Sequence, residues 1–280
     1  FDPAREQEVI ARNAALIDNE EYRSYFVSFL QANMEISRAM QHRLLDGMRA
    51  AFSGVEGAFA DIAAGKIFPG AATVPYPDFK SAYEAVVNGE CDCAVLPVEN
   101  SSNGDVGQVM DLAFFGSLFI NGIYDIAIVQ NLLAVKGATL DEIKTVISHP
   151  QALGQCAEYI RSHGLEAIEA VNTAVAARQV AQRADRSVAA IASAEAAERC
   201  GLKVLEAHIN EKGDNTTRFA VFSRTPRDKT SADERFILLF TVNNVAGALS
   251  RAVSVIGRCG FNLRALKSRP TRELIWSYYF

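Results

Sequence analysis

Residues 94–98 read AVLPV, and they are followed by the polar run ENSSNG at 99–104 and by a helical pattern that begins near Val106. A short apolar run that passes through turn-forming polar residues into a helix is typical of a strand–helix unit in an α/β sheet. The same order of apolar run, polar turn and helix recurs at 49–57, 145–150 and 188–201. A further apolar strand is predicted at 218–222. The pattern therefore predicts an α/β domain over 48–225.

Polar side chains gather where these predicted strands end. In open α/β sheets, ligands bind at this edge. Serine, asparagine and glycine are also common in ordinary helix caps and turns, which is the alternative explanation. Gln155 is predicted to be buried in an otherwise apolar helix, and Arg218 opens a strand. Several such loops together with these two residues favour a binding crevice.

The first 47 residues carry no strand pattern and predict two helices, at 4–17 and 20–45. One stripe of the second helix is apolar at its ends and polar in its middle, and it contains Phe26, Leu30, Asn33, Ser37, Gln41 and Leu44. Polar groups inside a helical bundle cost stability unless something pairs with them. The stripe is therefore either a ligand pocket or a solvated edge.

The last part of the chain predicts a small α+β module after a polar, proline-containing linker at 225–232. Strands are predicted at 235–242, 261–266 and 273–280, with a helix ending near Arg258 and a turn at 267–270. This module carries no histidine and no nucleophile placed for catalysis, so a binding or regulatory role is predicted. The chain begins at Phe1 within a helix signal and ends in a strand-like run, so we expect both terminal domains to be incomplete.

The composition excludes several classes of protein. The 280 residues contain 28 Lys+Arg and 33 Asp+Glu, a net charge of −5, without a basic block. A nucleic-acid partner would need a basic face, and a membrane span would need an apolar run of about 18–20 residues. The five cysteines are an odd number scattered along the chain, which fits a reduced, cytoplasmic protein better than a disulfide framework.

The sequence predicts neither a metal nor another cofactor. The four histidines lie far apart, and the cysteine pair at 91 and 93 has no second pair at ligand spacing. Gly54 and Gly57 follow a strand but lack the remaining glycines of a dinucleotide-binding fingerprint. Ser148 and His149 are neighbours at a helix start, where side chains usually point apart. His149 is therefore predicted to cap the helix rather than to activate a nucleophile.

Four stretches, in this order, resemble the motif set of prephenate dehydratases: GVEGAF at 54–59, LPVENSS at 96–102, SHPQALGQC at 148–156 and NTTRF at 215–219. The resemblance implies a two-lobed α/β domain, similar to periplasmic binding proteins, over 48–225. It also implies the conversion of prephenate to phenylpyruvate, carbon dioxide and water.

This reaction implies roles for particular side chains. Hydroxide is a poor leaving group, so a donor must assist its departure. The resemblance favours Thr217 as that donor, and Glu99 is the alternative acid if it is buried. The planar guanidinium of Arg218 suits a substrate carboxylate, although Arg218 is alternatively a structural partner of Glu99. Neutral hydrogen bonds that orient the substrate are predicted from Asn100, Ser148 and Gln155.

The two flanking regions resemble other families. Residues 1–47 resemble two helices of AroQ-type chorismate mutases, with Arg5, Glu6, Ser37 and Gln41 as candidate substrate ligands. We expect little mutase activity here because the long first helix of that family is absent. Residues 232–280 resemble a ferredoxin-like ACT regulatory domain, whose phenylalanine site would comprise Asn244, Gly247, Ala248, Leu249, Ser268, Arg269 and Pro270.

Three modules in this order resemble the bifunctional chorismate mutase–prephenate dehydratase family. The resemblance implies prephenate and chorismate as substrates, phenylalanine as an allosteric ligand, and a homodimer or homotetramer. No nucleic acid or membrane partner is expected. The alternative is a non-catalytic sensor that binds a keto acid or an amino acid in a two-lobed crevice.

Overall fold

The computed structural model describes residues 2–102, 104–211, 215–227, 237–263, 265–271 and 277–280. The contacts of the chain divide it into two units, Phe1–Arg227 and Asp228–Phe280. None of the described helices is long and apolar enough to cross a membrane.

The chain opens with a helical hairpin, α1 (Pro3–Ala14) and α2 (Glu20–Asp46). Asp2 caps α1 by accepting hydrogen bonds from the N–H groups of Ala4 and Arg5, as the Asp-Pro start predicts. Ile10 and Ala14 of α1 are buried, whereas no residue of α2 is. The polar middle of the predicted stripe on α2 is exposed in this chain, as a solvated edge requires.

The first α/β lobe follows the hairpin. In chain order its elements are β1 (Arg49–Ser53), α3 (Phe59–Ile67), β2 (Ala72–Tyr76), α4 (Phe79–Val87), β3 (Cys93–Asn100), β4 (Gly104–Asp105), α5 (Gly107–Phe115) and β5 (Phe119–Ala127). A late strand, β11 (Thr216–Ser223), returns to this lobe and gives the order β2-β1-β3-β11-β5, with β4 paired to β3. The strands β1, β2 and β3 are parallel, while β11 is antiparallel to β3 and β5.

The second lobe lies between β5 and β11 in the chain. Its elements are β6 (Asn131–Ala134), a 3₁₀ turn (Leu140–Glu142), β7 (Thr145–Ser148), α6 (Pro150–Gln155), α7 (Ala157–Ser162), β8 (Glu166–Glu169), α8 (Thr173–Arg183), β9 (Val188–Ala192), α9 (Ala194–Cys200) and β10 (Lys203–Glu206). The sheet order is β10-β6-β9-β7-β8. His149 caps α6, since its Nδ1 accepts from the Gln151 N–H at 3.2 Å, so the predicted cap is confirmed.

All four predicted strand–helix units and the strand at 218–222 are confirmed. Six strands of the two lobes were not predicted: β2, β4, β5, β6, β8 and β10. β8 is exposed throughout and several residues of β5 are exposed, so neither shows the run of buried apolar residues that marks the predicted strands. β6 is buried throughout but is only four residues long.

The chain passes between the lobes twice, and the two crossings run side by side. Two backbone hydrogen bonds join the crossings. The Ile128 N–H donates to the Asn215 carbonyl at 2.8 Å, and the Ile209 N–H donates to the Gln130 carbonyl at 2.9 Å. These bonds place the start of β11 beside the start of β6. The polar ends of both sheets therefore meet at the junction of the lobes.

Two ion pairs join α3 of the first lobe to α9 of the second. Arg199 lies 3.0 Å from the carboxylate of Asp61, whose side chain is fully buried, and Lys66 lies 2.9 Å from Glu195, where both side chains are exposed. The Gly57 N–H donates to the same carboxylate oxygen that Arg199 contacts, Asp61 Oδ2, at 2.8 Å. Gly57 has φ +83°, which favours glycine at this close approach of the lobes.

The C-terminal unit contains α10 (Ala248–Arg258) and two short antiparallel strands, β12 (Arg269–Pro270) and β13 (Tyr278–Tyr279). The predicted helix is confirmed. In the strand predicted at 235–242, residues 235 and 236 lie outside the described ones. Phe240 pairs with Phe280 through two backbone hydrogen bonds of 2.8 and 2.9 Å, and Thr241 bridges to Tyr279.

Two predictions for the C-terminal unit are wrong. The described residues of 261–266 are irregular rather than a strand, because no described strand pairs with their backbone groups. Arg269 and Pro270, predicted to lie in a turn, form β12 instead. Of the strand predicted at 273–280, residues 273–276 lie outside the described ones, and Tyr278–Tyr279 are in β13.

We predict that Arg199→Ala destabilises the protein more than Lys66→Ala. Removing Arg199 leaves the buried Asp61 carboxylate without its counter-charge, which should cost about 1–3 kcal/mol given that the arginine itself is half exposed. The exposed Lys66 pair should contribute less than about 1 kcal/mol. Urea unfolding of both variants measures the difference. Equal losses would show that burial of Asp61 does not determine the contribution of its ion pair.

Candidate active site

A cavity of about 330 Å³ lies at the junction of the two lobes. The first lobe lines it with Ser102, which follows β3, and Asn215, which precedes β11. The second lobe lines it with Gln151, Gly154, Gln155, Asn210 and Glu211. Both lobes and the second crossing between them therefore contribute polar groups to one cavity, at the edge where the sequence predicts a crevice.

The side-chain amide of Asn100 organises the first-lobe wall of this region. Its Oδ1 accepts from the Ser102 N–H at 3.0 Å, so its Nδ2 must point the other way. That nitrogen donates to Thr217 Oγ1 at 2.9 Å and to Asn215 Oδ1 at 3.0 Å, and it lies 3.3 Å from the Thr216 carbonyl. Asn100 is only 8% exposed. Both polar atoms of its side-chain amide are therefore engaged in hydrogen bonds with neighbouring protein groups.

The contact with Asn100 determines whether the Thr217 hydroxyl donates or accepts a hydrogen bond. An amide N–H₂ can only donate, so Thr217 Oγ1 is the acceptor in the 2.9 Å bond. The proton of the hydroxyl is therefore available to another acceptor. Thr217 is 9% exposed and pairs in register with Asn100 across β3 and β11. Its hydroxyl is thus a pre-oriented donor next to the cavity wall formed by Asn215.

Arg218 lies between two carboxylates. Its Nε and Nη2 donate to the two oxygens of Asp125 at 2.8 and 3.3 Å, and its Nη1 donates to Glu99 at 2.9 Å. The hydrogen bond that Arg218 donates to the Asp125 carboxylate raises the pKa of Arg218 above its ordinary value. The pairing with Glu99 is the structural partnership that the sequence left open. Glu99 is 38% exposed, so the burial that would have favoured it as an acid is absent.

A β-bulge explains how Arg218 and Glu99 come to face each other. Arg218 pairs with Glu99, whereas the next residue, Phe219, pairs with Pro97, so Val98 is the extra residue on β3. A proline cannot donate a ladder hydrogen bond, and bulges accommodate it. The bulge shifts the register just before the site.

Gln155 lies at the end of α6 and lines the cavity. It is partly buried rather than fully buried as predicted. Its Oε1 lies 3.4 Å from Nε2 of Gln130, and its backbone carbonyl accepts from the Glu211 N–H at 2.9 Å. These contacts tie α6 to both crossings between the lobes.

Ser148 is not brought to the cavity. It is fully buried, and its hydroxyl donates to the Ile191 carbonyl at 2.5 Å, which ties β7 to β9. Its neighbour in the same motif, Cys156, is also buried, and this burial raises the pKa of its thiol to about 12. At neutral pH this thiol stays protonated and is a poor nucleophile.

The mutase-like residues lie on the helical hairpin. Glu6 forms an ion pair with Arg38, a cation that the sequence analysis did not select. Gln41 Nε2 lies 3.4 Å from the Ser37 hydroxyl on the exposed surface of α2. Arg5 lies in the first turn of α1, where its N–H donates to Asp2.

The regulatory candidates lie in the C-terminal unit. Gly247 precedes α10 with φ +77°, and Ala248 and Leu249 form its first turn. Asn244 lies in the preceding loop, and Ser268 precedes β12, which contains Arg269 and Pro270.

Two functional candidates were missed. Asp125 has no local sequence signal, because it meets Arg218 only through the pairing of β5 with β11. Gln130 is buried beside Gln155, and the residues around it carry no recognisable motif.

A second cavity, of about 340 Å³, lies beside Glu56, Arg178 and Arg199 and contains none of the predicted catalytic residues. Within the described ranges, no group of three or more metal-binding side chains is present.

The geometry defines a two-lobed α/β protein with a polar ligand crevice between the lobes. Residues 50–227 match the sequence model of the prephenate dehydratase family. The chain belongs to this family.

Individual relatives agree with this assignment. The chain is 36% identical over 227 residues to "Arogenate dehydratase/prephenate dehydratase 1, chloroplastic" of Arabidopsis thaliana, covering 81% of this chain and 58% of that protein. It is 34% identical over 233 residues to "Bifunctional chorismate mutase/prephenate dehydratase" of Neisseria gonorrhoeae, covering 82% and 64%. The chain thus spans about three-fifths of the length of these curated relatives.

A solved structure shares the fold. The prephenate dehydratase of Arthrobacter aurescens, solved in complex with L-Phe, superposes with a TM-score of 0.73 at 27% identity. The match covers 83% of this chain and 78% of that one. The two-lobed architecture is therefore that of prephenate dehydratases.

Proposed function

We propose that this chain is a prephenate dehydratase, a lyase that forms phenylpyruvate in phenylalanine biosynthesis. Its family membership supports the reaction class. The observation that carries the proposal is the Thr217 hydroxyl, which accepts from Asn100 and keeps its own proton for another acceptor. The cytoplasmic location predicted from the composition belongs to the same proposal, and the Arabidopsis relative is named as chloroplastic.

The proposed reaction removes two groups from opposite carbons of the prephenate ring. The bond to the ring carboxylate breaks and releases CO₂, its electron pair enters the ring, and the opposite C–O bond breaks. The ring becomes aromatic, and the departing hydroxide takes up a proton to become water. Acid assistance to such a leaving group is typically worth about 10²–10⁴ in rate.

Thr217 is proposed as the donor to the departing hydroxyl oxygen. A threonine hydroxyl is a weak acid, so it assists through a strong hydrogen bond rather than by giving up its proton completely. Glu99 is the weaker candidate, because it accepts a hydrogen bond from Arg218 in an ion pair and is more than a third exposed rather than buried.

Arg218 is proposed to hold a substrate carboxylate. Asp125 binds it through two hydrogen bonds, whereas Glu99 binds it through one. A substrate carboxylate can replace the single Glu99 bond while Asp125 keeps the guanidinium oriented. Gln155 is proposed to orient the substrate from the second lobe, since it lines the cavity.

The flanking modules extend the proposal. We infer that 1–47 is a mutase-like region with little chorismate turnover of its own, which an assay of chorismate consumption tests.

Helix α2 carries an exposed apolar stripe. Its members are each at least 60% exposed: Tyr22, Tyr25, Phe29, Ile36 and Met40. This stripe supports self-association into a homodimer or homotetramer, which sedimentation velocity measures.

We predict that Thr217→Val lowers kcat for phenylpyruvate formation by about 10²-fold or more, while KM for prephenate changes little. Valine has nearly the shape of threonine but no proton to donate. Thr217→Ser is the matched control, because it keeps the hydroxyl, and it should retain most of the activity. An unchanged kcat in Thr217→Val, together with a raised KM, would contradict the donor role.

We predict that phenylalanine binds the C-terminal unit near Gly247 and inhibits the dehydratase. Gly247→Ala should weaken phenylalanine binding about tenfold, because alanine is strained at φ +77° and its Cβ would approach Arg251 at 3.3 Å. Gly260→Ala is the control, since Gly260 has φ +84° at the other end of α10 and open space around it. Calorimetric titration with phenylalanine distinguishes them; equal affinities in both variants would reject this site.

A further inference from the structure

Asn215 has a buried amide nitrogen with no partner. The residue is 3% exposed, and its Nδ2 has no hydrogen-bond partner among the described residues. Burying such a group without a partner costs free energy, and native proteins rarely tolerate it without a reason. Asn215 also lines the cavity between the lobes. The cavity is therefore the place to look for a partner of this nitrogen.

The orientation of this amide is set by its neighbours. Asn100 Oδ1 is taken by the Ser102 N–H, so Asn100 presents its N–H₂ group to Asn215. Asn215 therefore accepts this hydrogen bond through its side-chain oxygen, Oδ1, at a distance of 3.0 Å from Asn100 Nδ2. Turning the Asn215 amide over would place two N–H₂ groups against each other. The network thus holds Nδ2 of Asn215 on the side away from Asn100.

We propose that Asn215 is a substrate-binding residue whose Nδ2 donates to a carboxylate or oxo oxygen of the 2-oxo acid in the cavity. This inference rests on the proposed dehydratase function and makes it more specific. Asn100 is then a positioning residue rather than a ligand, because both of its amide atoms are engaged by protein groups. One amide side chain orients both Asn215 and the hydroxyl of Thr217.

The amide in Asn215 suits an oxygen of a 2-oxo acid for a simple reason. A carboxylate or oxo oxygen only accepts hydrogen bonds, and Nδ2 only donates. Hydrogen bonds to charged groups are stronger than those between neutral groups. The affinity for such a ligand should therefore depend strongly on this single nitrogen.

The test uses Asn215→Asp, which keeps the size of the side chain and an acceptor for Asn100 but removes the donor. Calorimetric titration with phenylpyruvate should show binding weakened roughly 10- to 100-fold. Asn215→Ala is the second variant, and it should weaken binding in the same range if the aspartate variant fails to fold.

Asn131→Ala is the matched control. Asn131 is also 3% exposed and lies near the junction of the lobes, but both of its amide atoms are partnered, with the Ala192 carbonyl and the His208 N–H. Its loss should lower the melting temperature and leave the phenylpyruvate affinity within about twofold of wild type.

The positioning role of Asn100 is tested by a double-mutant cycle. Asn100→Ala should weaken phenylpyruvate binding in the wild-type background and have much less effect in Asn215→Ala, because it acts through Asn215. Fully additive effects would show that Asn100 does not act through Asn215.

Binding and turnover separate this inference from the proposed function. If wild type binds phenylpyruvate but forms none from prephenate, the dehydratase proposal fails, and the affinity of the Asn215 variants still decides the inference. Unchanged affinity in folded Asn215→Asp or Asn215→Ala, or no phenylpyruvate binding by wild type, would overturn it.

Discussion

The carboxamide of Asn100 is the interaction on which the site depends. Its oxygen has one backbone donor, the Ser102 N–H, and its nitrogen faces the Thr217 hydroxyl and the Asn215 side chain. Because an amide cannot donate and accept with the same atom, this arrangement fixes the hydrogen-bond polarity of both neighbours. One buried side chain thereby orients a hydroxyl that can donate and an amide nitrogen that has no acceptor among the described residues.

The fold brings these groups together through strand pairing rather than through the chain order. Asn100 ends β3, and Thr217 lies near the start of β11, which reaches the first lobe only after the whole second lobe has been completed. The antiparallel register places Thr217 opposite Asn100, and the bulge at Val98 places Arg218 opposite Glu99. The side-by-side crossings then set this edge against Gln130 and Gln155 of the second lobe.

Local patterns predicted the strand–helix units, whereas the resemblance of four motifs to a known family selected Thr217, Asn100 and Gln155, whose roles stay predictions. They did not predict Asp125, whose contact with Arg218 joins residues far apart in sequence. They also placed Ser148 in the site, because a polar residue that ends a strand has the same sequence signal whether it faces a cavity or a neighbouring strand. The failed strand at 261–266 has a related cause: apolar residues favour a strand, but pairing requires a neighbour.

The most direct test of this account is a crystal structure of the chain soaked with phenylpyruvate. The account predicts the ligand in the cavity between the lobes, with an oxygen within about 3.2 Å of Asn215 Nδ2 and the aromatic ring next to the Thr217 hydroxyl. Phenylpyruvate bound instead in the second cavity, beside Arg178 and Arg199, with the crevice at Asn215 filled by water, would contradict it.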